Sequence, residues 1–258
     1  MSKEIKIAFF DIDGTLVNME TKVMTQTTKE TLLALQKSGV KICIATGRGP
    51  SFIPDFGIDF DAYLTFNGSY CFDKNGTLFE CPLSKEDIHT LIANADAINR
   101  PVSIATRNIY LASGFDSDLN EYFMFSNHPL KIGNIEEIIA NENVYQLMLG
   151  CRKSDFEALL KGVKNAKITS WWDRAVDIIP SNGGKGVAVE ALLKAYGLTA
   201  EKAIAFGDGD NDVDMIQTVG TGVAMGNGSP AVKAAAKVVT APVSEEGIQQ
   251  YCVEHGLI

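Results

Sequence analysis

The chain has 258 residues, and its 23 Lys and Arg against 32 Asp and Glu give a formal net charge of −9. This acidic balance disfavours broad nucleic-acid binding, because affinity for a phosphate backbone depends on concentrated Lys and Arg side chains. With 46% hydrophobic and 21% charged residues, the composition is that of an ordinary globular protein and excludes a disordered or fibrous one.

Apolar runs rich in β-branched residues alternate with helical patterns at both ends of the chain. Residues 5–10 and 40–45 predict strands on either side of a helix over residues 27–37, and the same alternation returns over residues 203–225. Strands that are buried on both faces, with helices between them, form a parallel sheet. The fold class expected is therefore α/β, with a doubly wound, Rossmann-like core.

The middle of the chain has a different pattern. Residues 70–73 and 77–80 flank a Lys-Asn-Gly turn and predict a β-hairpin. Beyond the hairpin, helical segments are interspersed with paired strand-like runs, which is an α+β pattern. We therefore predict a core formed by residues 1–82 and 180–258, interrupted by an inserted α+β domain at residues 83–179.

Capping residues mark several helix ends. Ser84 and Ser229 are predicted N-caps, and Ser154 is another because a glutamate follows it three residues later. Gly39 is expected just after the end of the first helix, since glycine commonly stops a helix.

Two acidic segments each follow a predicted strand directly. Asp11 and Asp13 come first, and because residues i and i+2 of an extended chain share a face, their carboxylates are expected to flank one point. That point lies at the carboxyl edge of the sheet, where ligands bind in open α/β folds. If a helix begins near Asn211, then Asp208 and Asp212 converge near the same edge. Alone, each segment is also typical of an acidic turn or a helix start.

Four carboxylates at one place repel one another and require positive charge. A hard cation that prefers oxygen ligands and keeps several waters describes Mg²⁺, and Lys185 at the start of a helical pattern can supply another charge. The four carboxylates then carry a charge of −4, and Mg²⁺ and Lys185 together carry +3. Protonation of one carboxylate, which we assign to Asp13, makes the site neutral. Gly186 stands where a nucleotide-binding P-loop requires Ser or Thr, so a P-loop is disfavoured.

Thr46, Gly47 and Arg48 follow the strand predicted at residues 40–45. A hydroxyl group and exposed backbone N–H groups at this position can hold a phosphate oxygen. Taken alone, this segment is equally typical of an ordinary strand end, and an isolated lysine is more often solvated than functional.

Together the motifs resemble those of a known family. The chain contains, in order, FDIDGTLV, ATGR, an isolated Lys185 and GDGDND followed by GTGVAMGNG. This order resembles the haloacid dehalogenase superfamily, in its Cof-type branch with a type-IIB cap. The motifs span both halves of the predicted core, and the inserted domain matches the cap by position and size.

The resemblance implies a phosphohydrolase that works through an aspartyl-phosphate. Asp11 would be the nucleophile, and Asp13 would protonate the leaving group and then activate water. The metal would be Mg²⁺, held by Asp11, the backbone carbonyl of Asp13 and Asp208, while Asp212 would hold a metal-bound water.

The same resemblance implies a phosphate site. Thr46, Gly47, Lys185 and Asn211 would bind the transferring phosphoryl group. Asn211 would also orient the other residues of the site. It leaves the role of Arg48 open. The Asn67-Gly68 pair resembles a loop that in relatives lies near the entrance of the site, and it is equally typical of a simple turn before the hairpin.

The cap would exclude water and meet the leaving group of the substrate. Aromatic and basic residues in a domain of this size are usually packing or surface residues, but they are also the candidates for specificity. These candidates are Arg107, Asn108, His128, Trp171, Trp172 and Arg174.

The leading functional hypothesis is a Mg²⁺-dependent phosphatase for small phosphate monoesters such as sugar phosphates, with flavin mononucleotide and pyridoxal phosphate as further possibilities. The alternatives are a phosphomutase, which returns the phosphoryl group to another hydroxyl, and a phosphoryl-accepting signalling domain. A signalling domain is disfavoured by the chain length and by Asp13, which favours turnover over a lasting mark.

We expect the protein in the cytoplasm. No apolar stretch approaches the roughly 18 to 20 residues that cross a bilayer, and the sequence starts with charged residues that lead into a β-like run, so no membrane partner and no targeting signal are predicted. Five widely spaced cysteines without a CxxC pair predict neither a disulfide framework nor a zinc site. The sequence leaves the oligomeric state open.

Overall fold

The strands of the protein fall into two groups along the chain. The structure is a computed structural model that describes residues 4–258. Within these residues the strands, in chain order, are β1 Ile7–Phe10, β2 Lys41–Ala45, β3 Ala62–Thr65, β4 Tyr70–Asp73, β5 Gly76–Glu80, β6 Ser103–Ala105, β7 Tyr110–Ala112, β8 Gln146–Gly150, β9 Ala166–Thr169, β10 Ala175–Pro180, β11 Ala203–Gly207, β12 Thr221–Ala224 and β13 Val238–Val239.

Helices connect most of these strands. They are α1 Gln26–Lys37, α2 Lys85–Ala97, α3 Ser117–Met124, α4 Ile135–Asn141, α5 Phe156–Leu159, α6 Lys185–Ala195, α7 Val213–Thr218, α8 Pro230–Ala235 and α9 Gly247–Glu254. Among the helices of residues 4–258, none combines the length and the apolar character that crossing a membrane requires.

The chain forms two compact units. The first contains the chain up to Thr46 together with Pro54–Glu80 and Gly184–Ile258, and the second contains Gly47–Ile53 and Cys81–Gly183. The domain limits that we placed after residues 82 and 179 stay a prediction.

One sheet of eight strands forms the first unit, in the order β13-β12-β11-β1-β2-β3-β4-β5. The neighbours from β13 to β3 are parallel, and β4 and β5 add an antiparallel hairpin at the end. The hairpin predicted at residues 70–80 is confirmed, and it extends this sheet. Inside the sheet, Phe10 of β1 lies opposite Phe206 of β11 and Ile44 of β2.

Helices cover both faces of this sheet. Phe9 is fully buried in a cluster with Met215 of α7. Its neighbour Phe10 stacks on Phe206 at 5.2 Å between ring centroids, and Phe206 meets Tyr251 of α9 edge-on at 5.5 Å. Successive residues of a strand point to opposite faces, so α7 and α9 pack on different sides. The doubly wound α/β fold class is confirmed.

The second unit is an α+β domain built on an antiparallel sheet with the order β7-β6-β8-β10-β9. Leu91 of α2 and Ile139 of α4 are buried in one apolar cluster with Leu147 of β8. Burying side chains of this kind stabilises the unit by about 2 kcal/mol each.

Two of the predicted helix caps are present, and one is wrong. The side chains of Ser84 and Ser229 accept hydrogen bonds from backbone N–H groups three residues later, at the starts of α2 and α8. Ser154 instead lies inside the short 3₁₀ turn Lys153–Asp155, and α5 begins after it at Phe156. The helical turn thus begins at Lys153, before Ser154, and at its start the Asp155 carboxylate accepts from the N–H of Arg152.

Candidate active site

Three carboxyl groups from distant parts of the sequence lie together in the first unit. Asp11 directly follows β1, Asp208 directly follows the neighbouring parallel strand β11, and Asp212 ends a 3₁₀ turn, Asp210–Asp212. One carboxylate oxygen of each lies within 4.8 Å of the others. Because neighbouring parallel strands end at the same edge of a sheet, the residues that follow β1 and β11 lie close together.

Asp13 reaches this region by a different route from the one expected. β1 ends at Phe10, and Asp13 forms an isolated bridge with Val17, so the strand alternation that we used to place it does not apply. Its side chain is half-buried, and its charge acts on Asp11. Asp13 is nevertheless not one of the three residues whose carboxylate oxygens meet.

Lys185 supplies the positive charge inside the cluster. Its Nζ atom donates to Oδ1 of Asp11 at 2.6 Å and to Oδ1 of Asp212 at 2.6 Å, and the side chain is fully buried. Burial alone would lower the pKa of Lys185, but the attraction of the two carboxylates outweighs it and raises this pKa. The lysine therefore stays charged.

The cluster holds more negative charge than one lysine compensates. Burial raises the pKa of Asp11 to about 7 against the opposing pull of Lys185, and repulsion from Asp212 adds to this rise. Burial, followed by repulsion from Asp11 and Asp212, also raises the pKa of Asp208 well above its ordinary value. Converging oxygen ligands with uncompensated charge fit a hard divalent cation. Asp11, Asp208 and Asp212 are therefore suited to hold a divalent metal ion.

Hydrogen bonds fix the acidic side chains in place. Thr15 donates from Oγ1 to Oδ1 of Asp208 at 2.9 Å. Oδ2 of Asp212 accepts from the backbone N–H groups of Asp208 at 3.0 Å and Gly209 at 2.9 Å. Gly14 has a φ of +87°, and a Cβ atom there would lie 2.1 Å from Oδ2 of Asp208. Only glycine allows this approach.

The structure places three of the four predicted phosphate ligands in the first unit. Lys185 is in the cluster, Thr46 is buried directly after β2, and Asn211 is half-buried in the 3₁₀ turn between Asp208 and Asp212. Gly47 is the first residue of the second unit, where its carbonyl oxygen accepts from Nε2 of Gln146 at 3.4 Å.

The chain matches the family of haloacid dehalogenase-like hydrolases over residues 8–251. It belongs to this family. The match covers nearly the whole chain and includes the acidic cluster and Lys185, so the resemblance seen in the motifs is confirmed.

Relatives of this hydrolase share its full length. The phosphatase-like protein YkrA of Bacillus subtilis is 30% identical over 258 residues, which cover 98% of each chain. YitU of the same organism, a 5-amino-6-(5-phospho-D-ribitylamino)uracil phosphatase, is 26% identical over 261 residues, which cover 95% of each chain. Among solved structures, the subclass IIB sugar phosphatase BT4131 is 29% identical with a TM-score of 0.90, covering 98% of this chain and 100% of that one. The Cof-type branch with a type-IIB cap is likewise confirmed.

The specificity candidates of this hydrolase make packing contacts within the second unit. Arg107 donates from Nε to the hydroxyl of Tyr145 at 3.0 Å. The guanidinium of Arg174 lies 4.2 Å from the ring centroid of Trp172, which stacks on Trp171 at 6.3 Å. Their role in choosing the substrate stays a prediction. Within the same unit, Arg48 donates to the carbonyl oxygen of Phe52 at 3.0 Å.

Sequence reasoning missed several residues that support the site. Thr15 could have been found, since it belongs to the first motif and follows Gly14 directly. Asn227 lies in the GTGVAMGNG segment, but this motif did not indicate its partner: its Nδ2 donates to the carbonyl oxygen of Gly14 at 2.8 Å across 213 positions of the sequence. Asn67, which the sequence left open between a loop near the entrance and a simple turn, contacts Thr46 and Asn211.

Proposed function

We propose that this protein is a Mg²⁺-dependent phosphatase that hydrolyses small phosphate monoesters, with sugar phosphates as the first candidates, through an aspartyl-phosphate on Asp11. As a haloacid dehalogenase-type enzyme with phosphatase relatives, it is a phosphoric monoester hydrolase. The observation that carries the proposal is the position of the Asp11 carboxylate, held by Lys185 within an acidic cluster at the edge of the sheet. The sugar phosphatase BT4131 supports the substrate class.

Asp11 is suited to act as the nucleophile. Oδ1 is held by Lys185, which fixes the direction of the carboxylate, and the raised pKa of about 7 makes this carboxylate a stronger base than an exposed aspartate. It would attack phosphorus in line, forming a new oxygen–phosphorus bond as the bond to the leaving alkoxide breaks.

Asp13 is proposed as the general acid and base. It would give a proton to the leaving alkoxide in the first step and then take a proton from the water that attacks the aspartyl-phosphate. The second step releases inorganic phosphate and regenerates Asp11. A half-buried carboxyl group near the nucleophile can exchange protons with water between the steps.

Thr46, Gly47, Lys185 and Asn211 are proposed to bind the phosphoryl group. Phosphoryl transfer depends mainly on alignment and on positive charge or N–H donors where the equatorial oxygens gain negative charge. Lys185 provides the charge, and Nζ of this lysine donates to Asp212 as well as to the nucleophile Asp11.

Asp11, Asp208, Asp212 and the backbone carbonyl of Asp13 are proposed to hold Mg²⁺. When bound, this ion would supply the positive charge that lets an anionic nucleophile approach an anionic phosphate. Thr15 would keep Asp208 oriented through its hydrogen bond.

The test is the release of phosphate from p-nitrophenyl phosphate with and without Mg²⁺, followed by a panel of phosphorylated metabolites. Asp11→Asn should lower turnover by about a thousandfold or more, because the amide is a poor nucleophile. Asp210→Asn is the matched control, since Asp210 is an exposed aspartate of the turn after β11 and accepts a hydrogen bond from the hydroxyl of Ser229. A metal-replete preparation that is inert across the panel would contradict the proposal.

The products also separate a phosphatase from a phosphomutase. A sugar bisphosphate should yield inorganic phosphate and a sugar monophosphate, whereas a phosphomutase would move the group to another hydroxyl.

We further propose a cytoplasmic location, which the unpaired state of the five cysteines supports. The absence of nucleic-acid binding rests on the net charge and stays a prediction.

A further inference from the structure

A strained turn connects β3 to β4. Phe66, Asn67 and Gly68 are consecutive, all buried, and all have positive φ values, of 52°, 51° and 87°. Positive φ is uncommon for asparagine and an outlier for a bulky residue such as phenylalanine. Such conformations persist only where the surroundings fix them, and they cluster at functional sites. The contacts of this turn therefore indicate its role.

The backbone of the turn holds the segment that carries Thr46. The N–H of Asn67 donates to the carbonyl oxygen of Thr46 at 2.9 Å, and the N–H of Thr46 donates to the carbonyl oxygen of Leu64 at 2.8 Å. Thr46 is thus fixed on both of its backbone groups by the end of β3 and the turn after it.

The side chain of Asn67 holds the amide of Asn211. Oδ1 of Asn67 accepts from Nδ2 of Asn211 at 2.9 Å, across 144 positions of the sequence. An asparagine NH₂ group has two hydrogens. Because one of them is directed at Asn67, the rotation of the Asn211 amide is fixed and its second hydrogen has a defined direction.

The last residue of the turn lies against the start of α6. A Cβ atom on Gly68 would lie 2.3 Å from the carbonyl oxygen of Gly184, the residue before Lys185. The turn therefore contacts three segments that carry proposed phosphate ligands: Thr46, Asn211 and the N-terminus of α6.

We propose that Asn67 is a positioning residue for phosphate binding, which aligns Asn211 through its side chain and Thr46 through its backbone. The inference rests on the proposed function, because that proposal makes Thr46 and Asn211 phosphate ligands. Asn67 acts through these two residues, so its loss should weaken phosphate binding while the affinity for Mg²⁺ stays the same.

Asn67→Gly isolates the side-chain contribution. Glycine adopts positive φ without steric cost and keeps the N–H group that donates to Thr46. We expect the KM for p-nitrophenyl phosphate and the Kd for inorganic phosphate, measured by calorimetry with Mg²⁺, to rise about five- to tenfold, as for loss of one hydrogen bond. Asn99→Gly is the matched control, because Asn99 is exposed and has a φ of 55°. It should leave both values unchanged.

A double-mutant cycle distinguishes positioning from a general structural effect. If Asn67 acts through Asn211, then Asn67→Gly on the Asn211→Ala background should change the Kd for phosphate by no more than about twofold. Asn67→Asp, which keeps an acceptor for Asn211 and tolerates positive φ, is the second variant. On that background Asn211→Ala should keep its full effect.

Either of two results with Asn67→Gly would overturn the inference: a phosphate affinity equal to that of the wild type, or an effect that adds to that of Asn211→Ala. The loss of the Asn211→Ala effect in Asn67→Asp would do the same. Failure of the proposed function would appear differently, as a wild-type protein without turnover, and the phosphate affinities would still decide the role of Asn67.

Discussion

Nζ of Lys185 lies 2.6 Å from Oδ1 of Asp11 in a buried ion pair that joins residues 174 positions apart. The pair connects the first residue of α6 to the residue after β1. Because a buried charge without a partner costs several kcal/mol, the fold of the first unit requires this lysine as much as the chemistry does.

Lys185→Met should therefore destabilise the protein in a pH-dependent way. At pH 8 we expect a loss of about 3 to 5 kcal/mol in the free energy of unfolding, because Asp11 and Asp212 lose their counter-charge. The loss should be smaller at pH 6, since Asp11 then takes up a proton in the folded state at less cost. Urea unfolding at both pH values measures this, with Lys194→Met, an exposed lysine of the same helix, as the control. Equal losses at the two pH values would count against the charge argument.

Mg²⁺ binding should release protons near neutral pH. The pKa of Asp11, raised to about 7 by burial, means that below this pH the metal-free protein holds a proton that the cation must displace. The apparent affinity should then fall about tenfold for each pH unit below 7, if one proton is displaced. Calorimetric titration in two buffers of different ionisation enthalpy measures the proton count. An affinity that does not change between pH 7, near the shifted pKa, and a pH about 1.5 units lower would contradict the prediction.

Thr15→Val should weaken metal binding through Asp208. Burial raises the pKa of Asp208, and the hydroxyl of Thr15 opposes this rise and orients the carboxylate, so its removal leaves Asp208 more easily protonated. Loss of such a supporting bond typically lowers metal affinity by about tenfold or more. Thr31→Val is the control, because Thr31 is buried in α1 and donates to the carbonyl oxygen of Thr27. The same affinity in both variants would show that the hydroxyl of Thr15 has no such role.

Asp87→Asn should destabilise the second unit at neutral pH. The carboxylate of Asp87 accepts from the N–H groups of Lys164 at 2.8 Å and Asn165 at 3.2 Å and from the hydroxyl of Ser84 at 2.8 Å. Burial alone would raise the pKa of Asp87, but these hydrogen bonds lower it below the ordinary value. We expect a cost of about 2 kcal/mol at pH 7.

The sign of the pH effect at Asp87 follows from its lowered pKa. Stability from this group is present above the ordinary pKa of about 4 and is lost as the pH falls through the lower pKa of the folded state. The difference between wild type and Asp87→Asn should therefore shrink below pH about 4. Thermal unfolding of the two proteins measures it, with Asp96→Asn, on the exposed side of α2, as the control. A difference that stays constant down to pH about 3 would refute this assignment.

The sequence was sufficient to predict the acidic cluster, because topology determines where strand ends lie. Asp11 and Asp208 each follow a strand of the same parallel sheet, and Lys185 begins a helix that packs on that sheet. The path of Asp13 was not predictable in the same way, since the chain leaves β1 at Phe10 and closes a bridge with Val17.

Local sequence patterns did not predict the contacts between loops. The bond between Asn67 and Asn211 spans 144 positions, and the turn that presents it has three successive positive φ values, of which the one at Phe66 is an outlier for a bulky residue. At Ser154 the local pattern for a cap was present but misleading, because the helical turn begins one residue earlier, at Lys153, and Asp155 accepts from the N–H of Arg152 at its start.

The place of β1 between β2 and β11 also determines how the protein assembles during translation. One side of β1 stays without its hydrogen-bonding partner until Ala203–Gly207 has been synthesised and has left the ribosome. Nascent chains with an unpaired apolar strand are prone to aggregation, and long-range parallel pairing is slow. The enzyme therefore has to complete its larger sheet late, and stalled or truncated chains that lack β11 should depend on chaperones to remain soluble.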